Sequence, residues 1–487
     1  MHAASTDTAS TGVAVPAGLW EPGRRSLTLG LVLTVTLVAS ESMAIGTIMP
    51  LVALDLAGFD LYGWVFSSFF LAQLLGIVAA GALIDRRGGL ATPMAIGLVC
   101  FGAGLVVGGL APSMRVLIVG RVLQGFGAGF GAPVAYVAIG RAYPMSAQPL
   151  MLALLSAAWV LPGIFGPAVA GLVATATTWR WVFLGLLPML AIALCVTLPP
   201  LVTIASRGIS RGEGPGARTR LPLALAVAVG AGITLAGLGA VAEQPIAAVV
   251  LLVVGLVIGL PSLARLVPPG TLRARPVLPA AIMLRGLLTF TFAGAEAYVA
   301  LAFVVVRGTS AAEAGMAFTA AALAWTSGAW IQARVIERVG AAWLVQAGFG
   351  LLIVGLVATA IMLVPGTTIA VGIAGLAVAG LGMGLGYSPL TVTVLREAPA
   401  GGEGASSAGL QLTDMLGTAL GAGTGGAMIT IFAGAATGAI DPGRTAIGLG
   451  AAFAVEIGVG MVGLVLCTRL RRPSPAPVPP GAAEARP

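Results

Sequence analysis

The chain has 487 residues, 58% of them hydrophobic and only 9% charged, with a mean hydropathy of +1.04; that balance excludes a soluble core of this length. Its net charge of +8 comes entirely from arginine, since lysine is absent, which removes a Walker-type ATP site and a retinal Schiff base. The lone histidine is His2, which argues against histidine-based hydrolysis and His-ligated metals, and arginines scattered over short loops point to membrane topology and away from nucleic acid.

Fourteen apolar stretches follow one another, each long enough to cross ~30 Å of hydrocarbon as a helix. The polar leader, 1–26, has no small-residue cleavage site after a short apolar core, so the first span, 27–50, reads as a retained signal anchor. That span holds Glu41 alone among apolar neighbours, in the run ESMAIGTIMP from Glu41 to Pro50. An acid inside a membrane is a functional candidate by default, because charge there is costly. Between spans 61–84 and 90–112 the loop reads GALIDRRGG. Gly81 would allow close helix contact, Asp85 would accept hydrogen bonds or sit at a helix N-terminus, and Arg86 and Gly88 belong to the same turn. Span 115–140 contains GRVLQGFGAG, with Arg121 and Gln124 one turn apart. Helical rise puts Glu41 about 14 Å and Arg121 about 9 Å below the outer surface. Span 149–177 contains LPGIFGPAVAG, where Pro162 and Pro167 kink the helix and Gly166 and Gly171 let a neighbour pack into the bend. The run WRWVF, Trp179 to Phe183, opens span 181–203 and reads as an interfacial aromatic anchor.

A polar linker from Ser206 to Arg220 precedes spans 221–242 and 245–267, which contain almost no ionisable residue and are expected to be lipid-facing spacers. Span 279–306 carries Arg285 near its inner end, expected to snorkel to the headgroups, and Glu296 further in. Span 312–333 offers Trp325 as a cavity aromatic, and the loop after it, ARVIERVG with Glu337 and Arg338, is a degenerate copy of the first-half loop. After spans 341–364 and 368–395, span 407–434 brings Gln411 and Asp414, the acid about 10 Å from the inner face by helical rise. Glu456, in span 445–468, reads as a packing or lipid-adjacent residue, and the tail 471–487, rich in Pro and Ala, as disordered. Cys100, Cys195 and Cys467 lie in apolar runs without paired spacing and read as packing residues, not as metal ligands or disulfides.

The second half repeats the first. The run QGFGAGFGAPVAYVAIGRAYP (Gln124 to Pro144) returns 255 residues later as AGLGMGLGYSPLTVTVLREAP (Ala379 to Pro399). Gly125, Gly127, Gly129 and Gly131 map onto Gly380, Gly382, Gly384 and Gly386, Gly166 and Gly171 onto Gly421 and Gly426, and Glu41 onto Glu296. The repeat divides the chain into an N-terminal six-helix bundle over 27–203, a segment 204–278 with the linker and two inserted helices, and a C-terminal six-helix bundle over 279–470. Two homologous membrane halves, each with a carboxylate in its first helix, are what a transporter working by alternating access would show. Nineteen arginines fall on the side of the termini against four opposite, which favours both termini in the cytoplasm.

Four of these motifs carry a family resemblance. GALIDRRGG resembles the G-x-L-x-D-R-x-G signature of the major facilitator superfamily, and GRVLQGFGAG resembles the R-x-x-Q-G motif of its proton-driven exporters. LPGIFGPAVAG resembles the G-P motif of its antiporters, with Pro162 in place of the first glycine and Ala170 in place of a later one. ESMAIGTIMP is similar to the D-x-T-I-V-N-V-A-L-P run of fourteen-span drug exporters, with Glu41 for Asp, Met43 for Thr and Gly46 for Asn.

From Arg25 to about Arg472, the resemblance implies an all-α membrane protein with the major facilitator fold of fourteen spans. Spans 1 and 4 would line a central cavity, so that Glu41 and Arg121 pair. It implies a cell-membrane transporter, not an enzyme, that exports a lipophilic or cationic small molecule in exchange for protons. Glu41, Arg121 and Glu296 would couple protons, and Gln124, Trp325, Gln411 and Asp414 would line the substrate cavity. Gly81, Asp85, Arg86, Gly88, Glu337, Arg338, Pro162, Gly166, Pro167 and Gly171 would serve conformational change. No cofactor, metal or nucleic acid is implied, and a monomer suffices. Export of a lipid or a self-made metabolite is a second transport reading. A receptor or scaffold that binds without transport is disfavoured, since it has no need of costly intramembrane acids.

Overall fold

A computed structural model describes residues 18–21, 23–205, 217–399, 402–433 and 441–471. Most of the leader, the core of the linker and the tail, with the expectations attached to them, lie outside those residues. Among the described residues every regular element is helical, and thirteen helices are long and apolar enough to cross a membrane. Numbered in chain order together with one further long helix, they are α1 Arg25–Asp55, α2 Phe59–Arg86, α3 Ala91–Gly109, α4 Met114–Ala142, α5 Gln148–Ala176, α6 Arg180–Ile204, α7 Arg220–Gly239, α8 Pro245–Leu266, α9 Leu278–Val306, α10 Ala311–Val339, α11 Ala341–Ile361, α12 Ile369–Glu397, α13 Glu403–Phe432 and α14 Pro442–Leu470. The further helix is α10, whose Thr, Ser, Gly and Trp residues make it less apolar than the rest. Two six-helix bundles, α1–α6 and α9–α14, carry α7 and α8 inserted between them.

The repeated glycines set the packing inside each bundle. A Cβ at Gly125 or Gly129 would run into the α2 backbone at Phe69, Gln73 and Gly76, and one at Gly127 into the α3 backbone at Gly97 and Phe101. The second half does the same. Gly380 and Gly384 abut the α10 backbone at Ala321 and Trp325, while Gly382 abuts α11 at Gly348 and Leu352. Glycine at alternate positions thus lets one helix touch two neighbours at backbone distance, the packing mode available where lipid supplies no hydrophobic driving force.

The proline-rich span bends where proline chemistry requires. The helical run of α5 breaks at Ala158 and Trp159 before resuming at Val160, and Ala158 is the residue whose carbonyl the Pro162 ring would strike in a straight helix. Beyond the bend, Gly166 faces Met43 of α1, and Gly163 and Gly171 face Ala322 and Ala311 of α10.

The bundles meet mainly in the half of the molecule remote from the termini. There Tyr62 and Tyr298 lie with ring centroids 5.5 Å apart, Gly63 abuts Gly426, the Ser67 hydroxyl donates to the Ala419 carbonyl at 2.8 Å, and Thr319 donates to the Ile164 carbonyl at 3.1 Å. A Cβ at Gly81 would meet nothing within 4 Å, so the close helix contact expected there is not made.

One of the two inserted helices also departs from expectation. α8 presents a broad exposed apolar face, including Ile246, Val249, Val253 and Val257, as a lipid-facing helix should. By contrast α7 is wedged into the seam between the halves, where Ala224, Val227, Ala228 and Ala231 are buried with Leu71 and Leu74 of α2 and Leu412, Leu416 and Ala419 of α13. Its run of alanines is small enough to enter that seam.

Candidate functional site

Glu41 sits near the middle of α1 and Arg121 in the second turn of α4, and the two side chains form an ion pair with both groups buried. Arg121 is held on every side: its Nε donates to the Val65 carbonyl at 3.1 Å, its Nη1 also donates to Gln124 Oε1 at 2.9 Å, and its guanidinium lies 4.2 Å from the Phe69 ring centroid. Among the fully buried atoms of this group, Glu41 Oε2 and Gln124 Nε2 lack a partner. Charge is tolerated here because each cationic edge has an acceptor or a π face. Gln124 departs from the cavity-lining expectation. It is fully buried, under Gly104 of α3, because the missing side chain at Gly104 leaves room for it and Arg121 offers it a donor.

Glu296, the repeat mate of Glu41, has a different neighbourhood. Its position on α9 is half-buried, and it makes no hydrogen bond or ion pair with a described residue. The reason is legible in the repeat: the position matching Arg121 in the second half is Leu376, which is fully buried. The second half therefore presents a carboxyl without a built-in cation.

A second charge pair stands nearer the termini, in the C-terminal bundle. Arg285 of α9 lies 3.3 Å from Asp414 of α13, stacks over the Tyr387 ring and donates to the Tyr387 carbonyl at 2.6 Å. The Tyr387 hydroxyl donates to Asp414 Oδ2 at 2.8 Å. Trp325 stands beside this group, 5.6 Å from Tyr387 and 5.5 Å from Phe292 between ring centroids, while Gln411 is half-buried one turn from Asp414. Tyr136 of α4 is about half exposed. Arg285 is only 5% exposed, so the snorkelling expectation is corrected: a carboxylate and an aromatic face inside the bundle hold it better than a distant headgroup. Tyr387 was not singled out in the sequence. The available signal was its departure from the repeat, where the first half has Ala132.

The loop motifs serve the helix ends. Gly88 and Gly340 terminate α2 and α10 with φ of +67° and +81°, a region glycine enters without steric cost, and Arg141 donates to the Gly88 carbonyl at 2.6 Å. Asp85 lies at the C-terminal end of α2, exposed and without a hydrogen-bond partner among the described residues, not at a helix N-terminus. Arg86, Glu337 and Arg338 are likewise exposed. The aromatic run behaves differently from a plain anchor: Trp179 is buried and donates to Asp55 Oδ2 at 2.9 Å, and Arg180 pairs with the same carboxylate at 3.0 Å. Trp181 alone is exposed.

Glu456, on α14, is fully buried, and neither of its carboxyl oxygens has a hydrogen-bond partner.

Known proteins agree with this architecture. The chain is 27% identical over 461 residues to a probable multidrug-efflux transporter of Mycobacterium tuberculosis, covering 91% of this chain and 94% of the relative. It is 30% identical over 166 residues to multidrug resistance protein 3 of Bacillus subtilis, covering 34% of this chain and 32% of that one. Among solved structures it superposes on a bacterial homologue of the human lysosomal transporter Spinster with a TM-score of 0.66 at 16% identity, covering 93% of this chain and 100% of that one. It matches the xylose transporter XylE from E. coli with a TM-score of 0.61 at 13% identity, covering 92% and 99%. The family model described as Major Facilitator Superfamily matches residues 31–422, and the chain belongs to that superfamily.

Proposed function

We propose that this transporter exports a lipophilic or cationic small molecule from the cell in exchange for protons, as a monomer in the plasma membrane with both termini cytoplasmic. The observation that carries the reading is the buried Glu41–Arg121 pair spanning α1 and α4. Similarity to multidrug-efflux proteins supports the substrate class, and the arginine bias supports the orientation. Ionised, Glu41 is held by Arg121. A proton on Glu41 removes that attraction and frees α1 from α4, while Arg121 keeps the Val65 carbonyl, Gln124 and the Phe69 ring. Glu296, without a cation of its own, is the carboxyl left to meet a cationic substrate in the second half. Proton and substrate then compete for carboxylates in one pathway.

The test is flux in proteoliposomes with a panel of lipophilic cations, under an imposed proton or sodium gradient. Glu41→Gln should abolish proton-driven export while the protein still inserts and folds, and Glu296→Gln should alter substrate range or coupling. Normal proton-driven export by Glu41→Gln would remove the assignment, and flux driven by sodium alone would replace the coupling ion.

A further inference from the structure

Glu456 has a built niche. A Cβ placed on Gly294 of α9 would land on its carboxyl oxygens, and a Cβ on Gly421 of α13 would come within 3.1 Å of the Gly294 Cα. The carboxyl of α14 therefore lies flat against the α9 backbone at Gly294, at the level where Gly421 packs α13 against the same stretch of α9.

Among the described residues nothing nearby could hold it as an anion. Along α9, Arg285 is nine residues from Gly294, about 13 Å by helical rise, and Arg444 is twelve residues from Glu456 along α14, about 18 Å. The titratable groups on the packed elements are few. α9 contributes Tyr298, one turn from Gly294 with its hydroxyl given to the Ala422 carbonyl, and Glu296 on another side of the helix, about 200° round from Gly294. Asp414 of α13 lies seven residues before Gly421, about 10 Å away along the helix, and on α14 itself Cys467 and Arg469 follow Glu456 by eleven and thirteen residues, about 16 and 20 Å. α11 and the π turn Ala302–Val306 that ends α9 contribute none. An unpaired carboxylate in such a site is too costly to persist, and an apolar side chain would fill the space without that cost.

We propose that Glu456 is a further proton-binding site of the C-terminal bundle, one that keeps its proton while α9 and α14 are packed together and releases it when they part. Because α9 also carries Glu296, proton occupancy at Glu456 sets the seating of the helix that brings the other carboxyl to the cavity. Its part in transport rests on the proton-coupled reading above; proton binding itself does not.

Infrared difference spectroscopy on the full chain in lipid nanodiscs tests this with no ligand but the proton. In wild type, stepping from acid to alkaline buffer should remove a carbonyl band of a buried protonated carboxyl. That change should be absent in Glu456→Gln, kept in Glu296→Gln, and moved in frequency in Glu456→Asp. Amide hydrogen exchange along α9 should rise about tenfold over the same step in wild type and stay flat in Glu456→Gln, which mimics the protonated form. If Glu456→Gln misfolds, the aspartate variant carries the test. A Glu456 band that persists unchanged at every pH makes the residue a permanently neutral packing group and overturns the proposal. So does a pH response of α9 that survives in Glu456→Gln. Flux is scored separately: a titrating Glu456 in a protein without proton-driven export leaves this proposal standing and removes the transport reading.

Discussion

Replacing Arg121 with alanine strips four stabilising contacts at once: the ion pair to Glu41, the bonds to Gln124 and Val65, and the stacking on Phe69. Breaking a buried pair by removing one partner costs about 3–5 kcal/mol, because the remaining charge is stranded. Most interhelical hydrogen bonds in membranes couple by only ~0.6 kcal/mol, so the two cases separate well. A double-mutant cycle with Glu41→Gln isolates the pair from the other contacts. The expected coupling is about 2–3 kcal/mol, toward the top of the range for residues in direct contact. It is read from unfolding of the detergent-purified wild type, Arg121→Ala, Glu41→Gln and the double variant, with the double variant losing less than the sum of the singles. Glu21→Gln serves as an internal control. Its pair with Arg24 is 2.9 Å long but its side chain is 45% exposed, and it should change stability by less than ~0.5 kcal/mol. A Glu41–Arg121 coupling at or below ~0.6 kcal/mol would refute the argument that this is a closed, mutually dependent pair.

Two further outcomes follow from the packing. Gly384→Ala should sharply reduce folded yield, because its Cβ meets the α10 backbone at Trp325, whereas Gly81→Ala, which meets nothing within 4 Å, should be neutral or gain up to ~1 kcal/mol through helix propensity; size-exclusion profiles of the two variants compare them directly. Tyr387→Phe removes the hydroxyl donated to Asp414 and should cost about 1.5–3 kcal/mol in thermal unfolding, the range for a bond to a charged group, and no loss would mean that Arg285 alone satisfies that carboxylate.

How much of this was legible depended on whether the physics was local. Alternate glycines in Gln124–Pro144 and Ala379–Pro399 announce backbone contact because nothing else requires them in a membrane helix, and both runs do make it. Glu41 stood out for the same reason, as a charge with no local means of support. Arg285 was misread because an arginine near a span end looks alike whether it reaches for headgroups or for a carboxylate on α13, and its partner is distant in sequence. Gly81 was misread for a different reason. A glycine near a helix end looks alike whether or not a neighbour packs on it, and a Cβ at this one would meet nothing within 4 Å. Tyr387 and Glu456 lay in the departures from the repeat and from apolar composition, where the sequence marks an anomaly without naming its neighbours.

The wedged helix α7 has a mechanical consequence. Its alanine-rich face touches α2 on one side and α13 on the other, and Leu235 comes up against Gly423 beside Ser67 at the junction of the three helices. A body that rests on two moving parts cannot stay fixed to both. If the bundles rock, α7 must slip along at least one of them, and a smooth surface of small side chains with few polar catches is suited to slipping. The insertion then acts as a bearing surface, and enlarging an alanine on it would stiffen the movement without touching a single charged group.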